Sequence, residues 1–576
     1  MRAVLYDLGL HTALFALLVV AGAVLTRRVS AHPAALAAGG LALFGVTNYA
    51  VGIVWYAAPR AGQWASRTVP VICLLLMLWE VARRRREFVE VVRKVGLPLV
   101  LTALYAALVL GLGFLYGGYE KPLDTPAVRF SSRLPIDNQL PYLMARHVEQ
   151  FGHSVPVPPV GDWLASDRSP LQSAVWLGQT LWHRGDASAA TDYQVLGTVM
   201  QSSWVLGVWA LLSALAVRRV TVALSLAAVG GCGVVVLNTF FVWPKMLAAT
   251  FVLACAALVL ARDHRWPALR IAAVAVTACL AYLSHGGAVF VLVPVVALAL
   301  VQALHNRRRL TVLAAAAASA LALVLPWTLY QRLVNPPGDR LLKWMLAGVI
   351  PVDPRSPVTA IVDQYRAAGW SGALSNKWHN ILQIVGGRPP IPAFGDASWY
   401  QDFVSAVRAQ NFFSLLPSAG LLLVLALGWA YPRRAHLADR RAATWLLLVA
   451  AVSSLFWCVA MFGPGTTVTH QGTYALVVLM VCALTCAGAA QSTRATAFVV
   501  AVAGIVSLLL YVPQYPISGF PWTDAPKVHA TSAVVLVCGL IGFVALLWGY
   551  ALRPEEHHRH RAQSVITKEI EDGAVA

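Results

Sequence analysis

The sequence predicts an all-α polytopic membrane protein with about 15 transmembrane helices and two large extracytoplasmic loops. Three observations carry that reading. Hydrophobic residues make up 59% of the 576-residue chain and charged residues only 12%, against about a quarter charged in soluble domains. Apolar runs long enough to cross a bilayer, about 20 residues each, recur along the whole length. Lys and Arg gather in every second connection between those runs, the charge pattern of cytoplasmic membrane loops.

In chain order the runs cover 4–26, 34–57, 66–82, 95–117, 194–217, 220–242, 246–261, 268–284, 287–304, 310–331, 413–431, 442–462, 473–490, 496–512 and 530–552. The first has only Arg2 before it and Arg27 with Arg28 after it, which favours an anchor with its N-terminus outside over a cleaved signal peptide. One set of connections carries Arg27 and Arg28, the 83–86 arginine run with Arg93 and Lys94, Arg218, Arg219, Arg262, Arg265, the 307–309 run, Arg433, Arg434, Arg440, Arg441, Arg494 and a tail with Arg553, Arg559 and Arg561. Short connections of the other set hold only Arg60, Arg67, Lys245 and Lys527. The arginine-bearing set is therefore expected in the cytoplasm. The long loops 118–193 and 332–412 then lie outside, with the turns at Trp243-Pro244-Lys245, at 284–287 and at "GPGTTVTHQG" around His470. The polar segment 553–576 reads as a cytoplasmic tail, and its His cluster as solvated.

Composition also excludes function classes. The net charge of +19 is spread over short clusters between apolar runs, so it is no nucleic-acid footprint. All eight Cys fall inside apolar runs, which argues against a disulfide framework or a zinc site. No internal repeat marks an inverted-repeat transporter.

Loop 118–193 is too long and too rich in Trp, Leu and Tyr to be mere linker. Asp137 opens an amphipathic pattern in which Leu140, Leu143, Met144, His147 and Val148 recur at helical spacing. It reads either as an N-cap or as a general base, whose proton affinity apolar flanks would raise. In "GDWLASDRSPLQ", Asp162 and Asp167 are secondary acidic candidates. Asp167 reads also as a cap for the following helix, and Arg168 as a bidentate phosphate clamp. Lys245, at the outer end of a span, either snorkels to the interface or meets a lipid-linked phosphate. His285 and His470 are outer-face turn residues, structural or convergent on the same site. Loop 332–412 adds Arg340 and four Trp, which suit a membrane interface, a sugar face or an isoprenoid groove alike.

The arrangement resembles the GT-C superfamily of integral membrane glycosyltransferases. The resemblance rests on a large first outer loop with an acidic residue soon after a span, six further spans and a second large outer loop, and on "LPIDNQLPYLMARHV" followed by "GDWLASDRSPLQ". It covers roughly 95–431. Segment 1–94 would be three additional helices and 432–552 the C-terminal ones. The resemblance implies sugar transfer from a polyprenyl-phosphate donor to a glycan, lipid or secreted natural-product acceptor, with inversion and Asp137 as base. Arg168, Lys245, His285, His470 and Arg340 would hold the donor phosphate. No cofactor is required, though a divalent metal is compatible with the chemistry. Many members pair two acids where this chain has Asp137-Asn138, which leaves Asp162 and Asp167 open as the base. The Ala, Val, Arg and Trp content suits a high-GC actinobacterium, so mannose or arabinose transfer onto the cell envelope is the expectation, in the plasma membrane. A transporter or lipid-linked glycan flippase, a glycan polymerase or ligase, and a non-catalytic relative are the competing readings. A transporter should carry charge or broken helices at mid-membrane, where this chain has few.

Overall fold

The computed structural model describes residues 2–130, 134–182, 188–261, 267–385, 416–427, 436–463, 473–513 and 527–553. Among them the secondary structure is helical, with only two isolated β-bridges. A chain that must satisfy every backbone N–H and C=O inside lipid has little other choice.

Each of the fifteen apolar runs falls on helix where it is described, yet the count of clear spans is lower. Ten described helices are long and apolar enough to cross a membrane, or eleven if the bent pair Arg219–Gly230 and Gly233–Phe240 forms one span. Runs 66–82 and 95–117 lie in one element, Pro59–Gly113, broken at Arg84, whose φ of −139° and ψ of 45° leave the helical region. Lys245–Leu260 and Ala268–Ser284 are apolar but short, and the run at 413–431 is described only as Leu416–Leu427. Hydropathy counts runs, whereas a kink or a short helix is a property of the backbone.

Local signals set many helix ends. Proline opens Pro33–Ala57 and Pro59–Gly113 at a position where its missing N–H costs nothing. The side chain of His32 accepts from the Ala34 N–H, and that of Ser492 from the Ala495 N–H. Gly348, with φ of 72°, ends Arg340–Ala347 in the left-handed conformation.

The connections sort into two ends of the bundle. At one end His11 of the first helix is hydrogen-bonded to Gln179 of loop 118–193 (2.7 Å). Ser166 of the same loop donates its N–H to Asn335 of loop 332–412 (3.0 Å) and accepts at its carbonyl from Gln331, just before that loop (2.9 Å). Phe462 donates to the Met345 carbonyl (2.9 Å), and His529 to that of Leu115 (2.8 Å). At the other end Arg27 pairs with Glu90 (3.2 Å), Lys94 donates to the Ala31 carbonyl (2.9 Å), and Arg218 binds buried Asp439 (2.6 Å). The described parts of the two long loops thus share one end, and the connections that carry Arg27, Lys94 and Arg218 lie at the other.

Loop 118–193 is folded. Its helix Leu171–Gln179 is wholly buried and packs against Pro33–Ala57. Gly52 makes that approach possible, because a Cβ there would collide with Ala174. Residues 386–415 of the second loop, with Arg388, Asp396, Trp399 and Asp402, lie outside the described residues, and so does the tail 554–576.

Candidate functional site

Five segments converge at the shared loop end on one cleft. Asp137 comes from the short turn Ile136–Asn138, Asp167 and Arg168 from Ala165–Asp167 and the residue after it, and Trp243 and Pro244 from the turn before Lys245–Leu260. Ser284 with His285, and Leu341 of the second loop, complete the wall. The cleft has a volume of about 10 Å³, room for a single water. It is closed around an ion pair.

That pair joins Asp137 and Arg168: a guanidinium N–H donates to Asp137 Oδ1, with both side chains buried. Asp137 is therefore not the helix cap that its position suggested. The helix Leu140–Phe151 starts at Gln139 without a side-chain cap. The apolar setting expected around Asp137 is replaced by a cation.

Aromatic faces order the positive charges. The Lys245 ammonium lies 3.8 Å from the centroid of Trp243, and the Arg168 guanidinium 3.9 Å from that of Trp163 and 5.8 Å from that of Trp243. Arg340 stands 4.5 Å from Trp163 on its way to Asp167 (3.4 Å). Trp163 in turn stacks on Trp344 of the second loop, with centroids 5.3 Å apart. A ring face offers a buried cation attraction without neutralising it. Arg168, Lys245 and Arg340 thus gather beside Asp137 and Asp167, and an anion suits such a set of donors.

Asp167 and Asp162, candidates together in the sequence, part company. Asp162 is exposed and offers only its backbone carbonyl to Arg340. Asp167 is buried. Its Oδ2 accepts from the Leu164 N–H (2.9 Å), closing its own turn rather than capping the next helix, while Oδ1 has no partner among the described residues. Burial raises its pKa above the usual carboxylate value, against the Leu164 N–H, Arg340 and Arg168, which lower it. A carboxyl with a raised folded-state pKa adds stability at low pH, and that contribution is lost as pH rises through the raised value. Wild type should therefore gain melting temperature relative to Asp167→Asn as pH falls from 7 toward about 4. A relative loss over that window would mean that pairing with Arg340 outweighs burial.

His285 is a neutral donor. Its Nδ1 accepts from the Gly287 N–H (3.1 Å) and from the Tyr474 hydroxyl (3.1 Å), so the ring proton sits on Nε2. Burial, then the charges of Lys245 and Arg168, hold its pKa well below 6.5. Nε2 has no hydrogen bond among the described residues.

Beside the cleft lies an apolar cavity of about 290 Å³. Tyr49, Tyr56, Met144, Val148, Trp327 and Tyr330 line it, and exposed Ile53, Leu329 and Leu333 at its wall open it to the flank of the bundle. The two spaces share the segment after Arg168. Ser169 borders the cleft, Pro170 and Ser173 the cavity, and Ser173 donates to the carbonyl of Pro141 in the cleft wall (2.8 Å).

Asp137, Asp167, Arg168, Lys245, His285 and Arg340 are thus brought together, Asp162 is turned away, and His470 lies outside the described residues. Trp163, Trp243 and Tyr474 escaped sequence reasoning. The neighbours Asp162 and Lys245 drew attention to their segments, but an indole reads as interface or core. Among the described residues no group of three or more His, Cys, Asp or Glu side chains is placed to hold a metal ion. Family models, curated proteins and solved structures were compared with the chain, and none matches.

Proposed function

We propose that the chain is a membrane glycosyltransferase that moves a hexosyl or pentosyl group from a polyprenyl-phosphate donor to an acceptor hydroxyl, with inversion, on the extracytoplasmic face. One observation carries this reading: a closed acidic and cationic cleft adjoins an apolar cavity whose wall includes the exposed Ile53, Leu329 and Leu333. A phosphate with a long hydrocarbon tail fits that combination, and the arginine distribution supports an extracytoplasmic position for this end.

In this scheme the isoprenoid enters the apolar cavity and its phosphate reaches Arg168 and Lys245. A phosphate competes with Asp137 for the guanidinium, because its oxygens accept the same bidentate fork. Arg168 shifts to the donor, and Asp137 is freed beside the incoming hydroxyl. The carboxylate takes the hydroxyl proton while the hydroxyl oxygen attacks the anomeric carbon. The bond from that carbon to the phosphate oxygen breaks, and its electron pair leaves with the polyprenyl phosphate. Lys245, Arg168 and the His285 Nε2–H stabilise the leaving charge. The residue base is thereby masked until donor arrives, which limits loss of sugar to water.

The test is transfer itself. The purified protein in vesicles should release polyprenyl phosphate from labelled polyprenyl-phosphate mannose or arabinose and pass the label to envelope glycan. Movement of intact donor across the vesicle without cleavage would instead make the protein a flippase. Within the same assay His285→Ala should lower the rate at saturating donor by about 100-fold to 1,000-fold. His285→Gln, which keeps a neutral N–H donor, should recover part of that loss. Equal rates for the two variants would remove His285 as a donor.

A further inference from the structure

A second cavity, of about 710 Å³, lies at the other end of the bundle and is unused by sugar transfer. Five segments meet around it: residues 30–32 after Arg2–Arg27, 214–216 at the end of Trp204–Ala214, 259–261 at the end of Lys245–Leu260, Leu298 and Gln302 near the end of Val289–Leu304, and Ala438, Arg441 and Trp445 at the start of Leu437–Ala460. Its lining divides in two. Leu215, Leu260, Leu298 and Trp445 give it an apolar wall, and Ser30, His32, Gln302 and Arg441 a polar one.

Basic side chains reach it from three segments. Arg441 lies in the wall itself. Arg270 donates to the Ala261 carbonyl (3.3 Å) and to Gln302 Oε1 (3.3 Å), both in the lining, and Lys94 donates to the carbonyl of Ala31, also in the lining (2.9 Å). No Asp or Glu lines the cavity among the described residues, and two acidic residues nearby are engaged: Glu90 with Arg27 and Lys94, Asp439 with Arg218 and Thr221. A volume of this size is that of a small-molecule site. Its occupant must be anionic at one end and apolar at the other.

We propose that this cavity binds an anionic phospholipid of the leaflet next to the arginine-bearing end, with the phosphate beside Arg441 and an acyl chain against Leu298 and Trp445. Basic pockets between membrane helices on this side suit such headgroups. The site stands opposite the cleft and does not depend on the sugar-transfer reading. A phospholipid there would bridge helix ends from five segments of the chain.

The full chain, purified in detergent, should retain added phosphatidylglycerol through native mass spectrometry and melt at a higher temperature with it. Phosphatidylcholine and inorganic phosphate should do neither. Arg441→Ser changes an exposed side chain and should keep the fold while weakening phosphatidylglycerol retention about fivefold. Leu298→Trp should abolish it by filling the apolar wall. Equal stabilisation by phosphatidylcholine would overturn the proposal, as would unchanged retention in Arg441→Ser or stabilisation by inorganic phosphate alone. If Leu298→Trp fails to fold, the Arg441→Ser comparison decides.

Discussion

Asp137→Asn should leave a folded protein whose sugar transfer falls by about 100-fold to 10,000-fold, the span typical for loss of a general base. The amide keeps the shape of the carboxylate and an oxygen that can still accept from Arg168, so the buried guanidinium is not stripped of its partner. What it cannot do is take a proton. The measurement pairs initial transfer rates from polyprenyl-phosphate sugar with a melting curve, since the rate is informative only if the variant melts close to wild type. Full activity would remove Asp137 from the mechanism. If Asp137→Asn is active and Asp167→Asn is dead, the base is Asp167, whose unpartnered oxygen and raised pKa make it the other proton acceptor at the cleft.

Arg129→Met should have the largest effect on folding. The Arg129 side chain is wholly buried between the faces of Tyr116 (5.2 Å) and Phe130 (4.9 Å). Its guanidinium donates to the carbonyls of Leu112 (3.3 Å), Tyr511 (2.9 Å), Val512 (3.1 Å) and Pro513 (3.4 Å). Those carbonyls close the C-terminal ends of Pro59–Gly113 and Thr493–Tyr511, where helices leave acceptors without intrahelical donors and carry negative partial charge. Methionine fills the space but satisfies none of them. At about 1–3 kcal/mol for each buried group left unsatisfied, the loss is several kcal/mol. Fluorescence-detected size exclusion after heating should show a melting temperature lowered by several degrees or no folded peak at all. Arg129→Lys, which keeps the charge and part of the donor set, should fall between. A methionine variant that melts with wild type would show that water reaches those carbonyls unaided.

These two arginines show where sequence reading reached and where it stopped. Arg168 was legible because it follows an aspartate in a polar stretch before a helix, a place where a charged side chain needs a reason. Arg129 was not. A single arginine between Val128 and Phe130 looks like a solvated loop residue, and nothing local reveals that the ends of two helices, nearly four hundred residues apart in the chain, will close over it. The same limit applies to Tyr474, which sits in an apolar helix and yet hydrogen-bonds His285 Nδ1. It applies also to Asp137, whose apolar neighbours in the chain gave no sign of the guanidinium beside it in space. The kink at Arg84 and the shortness of Lys245–Leu260 escaped for another reason: hydropathy reports composition over a window, not backbone angles.

By itself the sequence determined the all-helical class and the presence of many membrane-crossing elements, though it counted fifteen where ten or eleven described helices are long and apolar enough. Both follow from the solvent: lipid demands about 20 apolar residues in hydrogen-bonded helix for each crossing, which is a property of short stretches. Only the tertiary structure decided which charges meet. Burial makes an uncompensated charge costly, so Asp137, Arg168, Asp167, Arg340 and Lys245 each take a partner of opposite sign or an aromatic face, and that partner comes from whichever helix end or loop packing brings there.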